Sequence, residues 1–263
     1  MDLCNLVLVL EGVGITPAVA GQLAASASSR DFPKGALIEM RGQPARYWCK
    51  VECGAVAAQV KLGPDIEAPW PVTLVHGPGV WLGEAALVAG ARRAVDIVAL
   101  TDCRLILIPR ELFMLALDGC PVFARYLLDT VGFRTARMTE VLLAVKHGSS
   151  AFRVACTLAH LAESLDSGGF DLAPASDPTV DLMASQQILA QVCNVSRVVL
   201  NGILATLNTA GFLRTCYGRT RLLRCADWRA LAQRTRQAPL LPCTASISQV
   251  ISALQGYTDL EAA

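Results

Sequence analysis

From Val122 to Lys146 the chain contains no proline, and that unbroken stretch constrains the fold more than any other feature. As a helix it would be roughly 37 Å long. Positions 127, 131, 134, 138, 141 and 145 alternate steps of four and three, the spacing of a coiled-coil seam. Leu127, Val131, Met138, Val141 and Val145 are apolar, but Arg134 on the same row is not. Two readings of Arg134 are open: an edge residue snorkelling to water, or a residue bordering a pocket that holds an anion. Gly132 costs such a helix about 1 kcal/mol relative to Ala, so packing has to hold it.

The sequence differs in kind on either side of this segment. From about residue 32 to 108, short runs with strand character (ALIEM, YWCKVE, AVAAQVKL, PVTLVH, DIVAL, RLILI) alternate with KG, RGQP, CG, LGP, HGPG and AGARR. Frequent Gly and Pro punctuation between short apolar runs predicts a compact all-β unit, a barrel or a sandwich. A weakly helical segment, TPAVAGQLAASA, precedes it. After the helix and the HGSS break, SAFRVACTLAHLAESL predicts a second helix. A loop-rich stretch follows, with short strands at FDL and TVDLM. Beyond about residue 236 the sequence is Pro-rich, then offers Ile247, Val250, Ile251 and Leu254 as an appended helix or a mobile tail.

Charge separates the same regions. Residues 184–238 hold eight arginines against one acid, Asp227, whereas residues 1–183 are net acidic. This asymmetry points to a polyanion as partner of the later part only. The ten cysteines are scattered, without a CxxC pair or a histidine cluster, so no metal site is expected. Several lie in apolar runs as small buried hydrophobes. A reduced, cytoplasmic setting is the expectation. NLVLVL near the start is too short to span a bilayer, and no membrane partner is expected.

The basic region contains SQQILAQVCNVSRVVLNGILATLNTAGFL, which predicts two helices and a tight turn. Ser185 and Ser196 are the predicted caps, each accepting a hydrogen bond from a free backbone N–H. Asn194 suits a left-handed turn residue. Leu200, Ile203, Leu204 and Leu207 form the buried stripe of the second helix, and Gly211 stands at its stop. The opposite face carries Arg197, Val198, Asn201, Gly202 and Ala205, slim and nearly uncharged. A helix reading the major groove needs that face: Arg197 can pair with guanine, Asn201 with adenine, and Val198 can touch a thymine methyl. FLRTCYGRTRLLR then predicts a hairpin turning at Tyr217-Gly218, with Arg214, Arg219, Arg221 and Arg224 directed at phosphates. Its competitor is an ordinary helical hairpin beside a solvated basic strand pair.

Over about residues 15–232 the sequence resembles the Crp/Fnr family of bacterial transcription regulators. Gln187 to Leu213, including Ser196-Arg197, resembles the family's DNA-reading motif. FPKGALIEMRGQPARYWCKVECGAV resembles its opening strands, with Gly35, Gly42 and Gly54 at turns. GPGVWLGEAALVAGARRAV resembles its phosphate-binding cassette. The resemblance implies an α+β chain: a β-roll sensor domain of the cyclic-nucleotide-binding kind (1–120), a dimerisation helix (121–147), a winged helix-turn-helix (148–236) and a tail (237–263). It implies DNA contacts from Ser185, Gln187, Ser196, Arg197, Val198, Asn201, Arg219 and Arg221. A cyclic nucleotide is the effector it names, held by Gly83, Glu84, Arg92, Arg93, Arg134 and Thr139. In that scheme Glu accepts from the ribose and Arg neutralises the phosphate. The sequence departs at Ala94, where a Ser or Thr is usual, and at Met138, which replaces a hydroxyl. The loop between Glu84 and Arg93 is one residue shorter. Val198 replaces an acid and Gly202 a second Arg. The competing view makes Glu84 and Arg93 a structural ion pair.

The expected function is therefore a homodimeric, sequence-specific regulator that binds double-stranded DNA and works with RNA polymerase. The alternative is a nucleotide-binding or protein-interaction module that has lost DNA recognition. No HExxH, GxSxG or P-loop occurs, and an enzyme is not expected. Among other sensors, Cys4 alone cannot hold an iron–sulfur cluster. His76 reads as a solvated loop residue rather than a haem ligand. Cys49 and Cys53 form a candidate redox pair, because residues four apart on a strand share a face unless a bulge intervenes.

Overall fold

The computed structural model describes residues 3–60, 72–166, 179–182, 184–216, 219–237 and 241–256. The chain divides after Arg134, inside one long helix, into two compact units.

The first unit opens with α1 (Leu3–Gly12) and α2 (Pro17–Ser26). The strands β1 (Ser28–Phe32), β2 (Leu37–Glu39), β3 (Tyr47–Cys53), β4 (Val56–Gln59), β5 (Val72–His76) and β6 (Trp81–Leu82) follow. Then come α3 (Glu84–Val88), β7 (Asp96–Ala99), β8 (Cys103–Pro109), α4 (Arg110–Gly119) and the start of α5 (Pro121–His147). The strands form two four-stranded antiparallel sheets, in the orders β1-β8-β3-β6 and β2-β7-β4-β5. Both sheets contribute to one core: Cys49, Val51, Leu105 and Leu107 from the first, Val56, Ala58 and Ile97 from the second.

The run RLILI lacks the alternation of a half-exposed strand, and the structure gives the reason. Leu105 and Leu107 face the second sheet, while Ile106 and Ile108 face a cluster with Trp48, Trp81, Phe113 and Phe123. A strand buried on both faces reads as a continuous apolar run. Trp48 and Trp81 stack at 3.7 Å between ring centroids in that second cluster. At Gly54 (φ 81°) a Cβ would lie 2.6 Å from the Cys103 Cβ, so both the turn and the close approach demand glycine.

The β unit begins earlier than the strand-like runs from about residue 32 predict. β1 is the polar run SSRDF, an edge strand with no apolar alternation to betray it. His76 is not a loop residue: it ends β5, paired with Val56. The LGP turn lies outside the described residues.

The second unit comprises the rest of α5, then α6 (Ser150–Asp166), β9 (Val180–Leu182), α7 (Gln186–Val192) and α8 (Arg197–Thr209). β10 (Leu213–Cys216), β11 (Arg219–Leu222), α9 (Cys225–Gln237) and α10 (Ile247–Gln255) complete it. β9 joins the hairpin to make a three-stranded antiparallel sheet, β10-β11-β9. The Tyr217-Gly218 turn and the expected strand at FDL lie outside the described residues. α9, which the sequence reading did not pick out, buries Trp228, whose Nε1 donates to the Phe212 carbonyl at 3.1 Å. α10 is an appended helix: Ser246 and Gln249 form a capping box, and Val250 and Leu254 are fully buried.

The seam on α5 also differs from the expected row. Leu127 is buried in the first unit's core. The large exposed apolar side chains include Leu128, Val131, Met138 and Leu142. With Thr135 they keep the three-and-four spacing, one position along from Leu127, Arg134 and Val141. Arg134 therefore leaves the apolar row.

Candidate nucleic-acid interface and the paired groups of the β unit

Ser185 caps α7, its Oγ accepting from Ile188 N at 3.3 Å; Ser196 caps α8, accepting from Val199 N at 3.2 Å. Between them Asn194 takes the left-handed conformation (φ 52°), and the two helices cross a 102° bend. That angle is typical of a helix-turn-helix. Leu200, Leu204 and Leu207 seat α8 in the core, and Gly211 (φ 80°) follows its end. The face opposite is open. Arg197, Asn201, Gly202 and Ala205 are exposed, and Val198 is 82% exposed. Among the described residues, neither Arg197 nor Asn201 spends its side chain on a protein partner. Ser185, Gln187 and Ser196 are exposed as well.

The hairpin arranges its arginines by strand alternation. Arg214 lies opposite Arg221 and Cys216 opposite Arg219, all four on the exposed face, while Leu213, Thr220 and Leu222 point inward. Two of the four expected phosphate contacts carry charges already engaged. Arg221 forms a fork to Asp181 on β9, Nε–Oδ1 2.6 Å and Nη2–Oδ2 2.7 Å, which holds the Asp181 carboxyl below its ordinary pKa. Arg224 pairs with Asp227 at 2.6 Å and covers the Phe212 ring. Asp181 carried no signal for this role in the sequence.

In the β unit the cassette residues are gathered, but not as a Glu84–Arg93 pair. Glu84, at the start of α3 and nearly inaccessible, takes its hydrogen bond from Arg134 Nη1 on α5. Arg134 Nη2 also donates to the Trp81 carbonyl at 2.6 Å. The other Glu84 oxygen, Oε2, is buried without a hydrogen-bond partner among the described residues. Arg93 turns to Glu39 on β2, Nη2–Oε1 3.0 Å, with side chains 7% and 16% exposed. The same Nη2 reaches the Tyr47 carbonyl at 2.8 Å. Gly83 is left-handed (φ 99°), and a Cβ there would collide with the Arg93 guanidinium. Arg92 is exposed and donates to the Gly42 carbonyl at 2.8 Å. Thr139 belongs to the second unit, its hydroxyl bonded to the Thr135 carbonyl one turn back.

Glu39 is the residue that sequence reasoning missed. Its signal was a lone acid closing the apolar run ALI. Removing one partner of a buried ion pair typically costs about 3–5 kcal/mol. Glu39 thus compensates the charge of Arg93 within the unit, while Arg93 Nε is buried without a hydrogen-bond partner among the described residues. The candidate redox pair is separated by a register shift between Val51 and Cys53: Cys49 is buried, its thiol pushed up to about 12 chiefly by burial, while Cys53 is exposed. Among the described residues no group of His, Cys, Asp and Glu could hold a metal ion. No single described helix is long and apolar enough to cross a membrane.

Residues 29–118 match the family model of the cyclic nucleotide-binding domain. Among solved structures, FixK2 from Bradyrhizobium japonicum is similar, with TM-score 0.63 and 21% identity, covering 84% of this chain and 98% of that one. The CRP/FNR-family transcriptional regulator TTHA1359 from Thermus thermophilus gives 0.54 and 24%, covering 78% and 98%. TTHB099, a CRP-family transcriptional regulator from the same organism, gives 0.53 and 25%, covering 78% and 96%. No curated protein matches the chain in sequence. The chain has the mixed helix-and-strand fold of the Crp/Fnr transcription regulators, with a β-sheet unit followed by a helical one.

Proposed function

We propose that this chain is a sequence-specific DNA-binding transcription regulator acting as a symmetric dimer. The observation that carries the reading is α8: a capped helix held by Leu200, Leu204 and Leu207, presenting Arg197, Val198 and Asn201 to solvent with no protein partner for the two polar ones among the described residues. An unpaired guanidinium and amide four residues apart on a slim face suit base edges in the major groove. Arg219 and Arg214 on the hairpin suit phosphate, which sets orientation without reading sequence.

The dimer is supported by the exposed row on α5, where Leu128, Met138 and Leu142 are each more than half exposed. A second copy of the same helix would cover that row as a parallel pair. Two α8 helices would then meet half-sites about one turn of duplex, ~34 Å, apart. In this scheme residues 1–120 are the sensor, 121–147 the dimer helix and 148–236 the DNA-binding part. RNA polymerase is the partner on which the bound dimer acts. Genomic DNA pulldown with the purified protein, followed by sedimentation, tests both claims. Enrichment of a near-palindrome by a dimer is expected. A strict monomer, or uniform recovery of all fragments, would sink the proposal.

A further inference from the structure

We propose that the β unit carries its own anionic ligand: the Glu39 carboxylate sits on Arg93 where the phosphate of a cyclic nucleotide would have to bind, and DNA binding is therefore independent of such a nucleotide. This goes beyond the reading of the chain as a DNA-binding regulator and rests on it.

A phosphate needs an uncompensated cation, and Arg93 is compensated by a carboxylate on a neighbouring strand. The pair is fixed from several sides. Tyr47 offers a second acceptor to the same Nη2, and the Cys49 thiol donates toward Glu39 Oε1 at 3.9 Å. Gly83 lets the Arg93 guanidinium lie directly against its backbone. An incoming phosphate would find Arg93 Nε without a partner but no net positive charge, because it would bring a second anion to the one guanidinium that Glu39 already compensates. Like charges so placed disfavour the charged form of each.

The second contact such a ligand needs is half taken. Glu84, the natural acceptor for a ribose hydroxyl, already receives Arg134, and Arg134 is held in addition by the Trp81 carbonyl. Ala94 offers no hydroxyl beside Arg93. Both cations of the seat are compensated by carboxylates of this chain, and Arg134 joins the cassette to α5 directly. The Glu84 oxygen left without a partner can accept from a hydroxyl but adds nothing for an anion.

The test uses the full-length protein, its selected DNA, cyclic AMP and cyclic GMP. Wild type should give no saturable heat with either nucleotide up to ~1 mM, a limit that excludes binding of useful strength. Its DNA affinity should change less than twofold when they are added. Glu39→Gln keeps the shape and removes the charge, so it should expose Arg93 and bind at least one of the nucleotides saturably. Saturable heat from wild type, or a DNA affinity that rises tenfold or more with nucleotide, overturns the proposal. A folded Glu39→Gln protein as silent as wild type also overturns it, because Glu39 would not then be what closes the seat. If that variant fails to fold, the wild-type titration decides alone. Wild type that binds no DNA with or without nucleotide would instead refute the regulator reading, and the heats would still judge the seat.

Discussion

Arg93 and Arg134 lie in the β unit with their guanidinium groups turned toward carboxylates and carbonyls of the chain; Arg197 lies at the start of α8 with its guanidinium turned to water. The same side chain does different work in the two places. In the β unit each charge is cancelled within 3.0 Å or less, and the result is structural cohesion. On α8 the charge is left unspent, which adds little to folding and keeps the donors free for a partner. A family resemblance treats both sets as binding residues. Within the chain they differ in having carboxylate partners or not.

The comparison breaks most readily at Arg134. Arg134→Met leaves Glu84 buried without its cation, and a buried charge stripped of its partner costs about 3–5 kcal/mol. Urea denaturation should show that loss, whereas Arg197→Met should stay within about 0.5 kcal/mol of wild type, as exposed substitutions do. Equal stability of the two variants would erase the distinction. The converse experiment reads DNA. Arg197→Ala should lose about 1–3 kcal/mol of discrimination at one base pair, measured as the affinity ratio between target and single-base variants, with folding unchanged. Ser196→Ala stands between them. It removes the cap that starts α8 and should cost about 1 kcal/mol of stability, seen as a lower thermal midpoint, without altering which base is preferred.

How much of this was legible in the sequence follows from the range of the signals. Capping, left-handed turns and helical stripes are local, so Ser185, Asn194, Ser196 and Gly211 could be placed from neighbours alone. Pairing between distant segments is not local. Glu39 meets Arg93 and Asp181 meets Arg221 only because strands bring them together, and no spacing along the chain announces either pair. The row on α5 failed by one residue for a related reason. Leu127 and Val141 are as apolar as Leu128 and Leu142, so periodicity alone could not say which row turns inward. β1 was invisible because an exposed edge strand needs no apolar alternation.

The smallest expected effect concerns the hairpin, where the two modes meet on one sheet. Arg219 faces solvent, while two residues along, Arg221 is forked to Asp181. Asp181→Asn should remove the carboxylate charge to which Arg221 is forked. Each additional phosphate contact steepens the dependence of log affinity on log salt by about 0.9, so the variant should show a slope more negative by close to that amount. Base preference should not move, because the gained contact is to the backbone. The pH dependence has a fixed sign. Asp181 is held below its ordinary pKa by Arg221, so the fork's contribution is complete above the ordinary aspartate value of about 3.9 and is lost only as acid carries the pH down through the folded value. At neutral pH the fork is closed in wild type and absent in the variant. A salt titration of both proteins on one target therefore reads that one charge, and identical slopes would mean that Asp181 does not control whether Arg221 reaches phosphate.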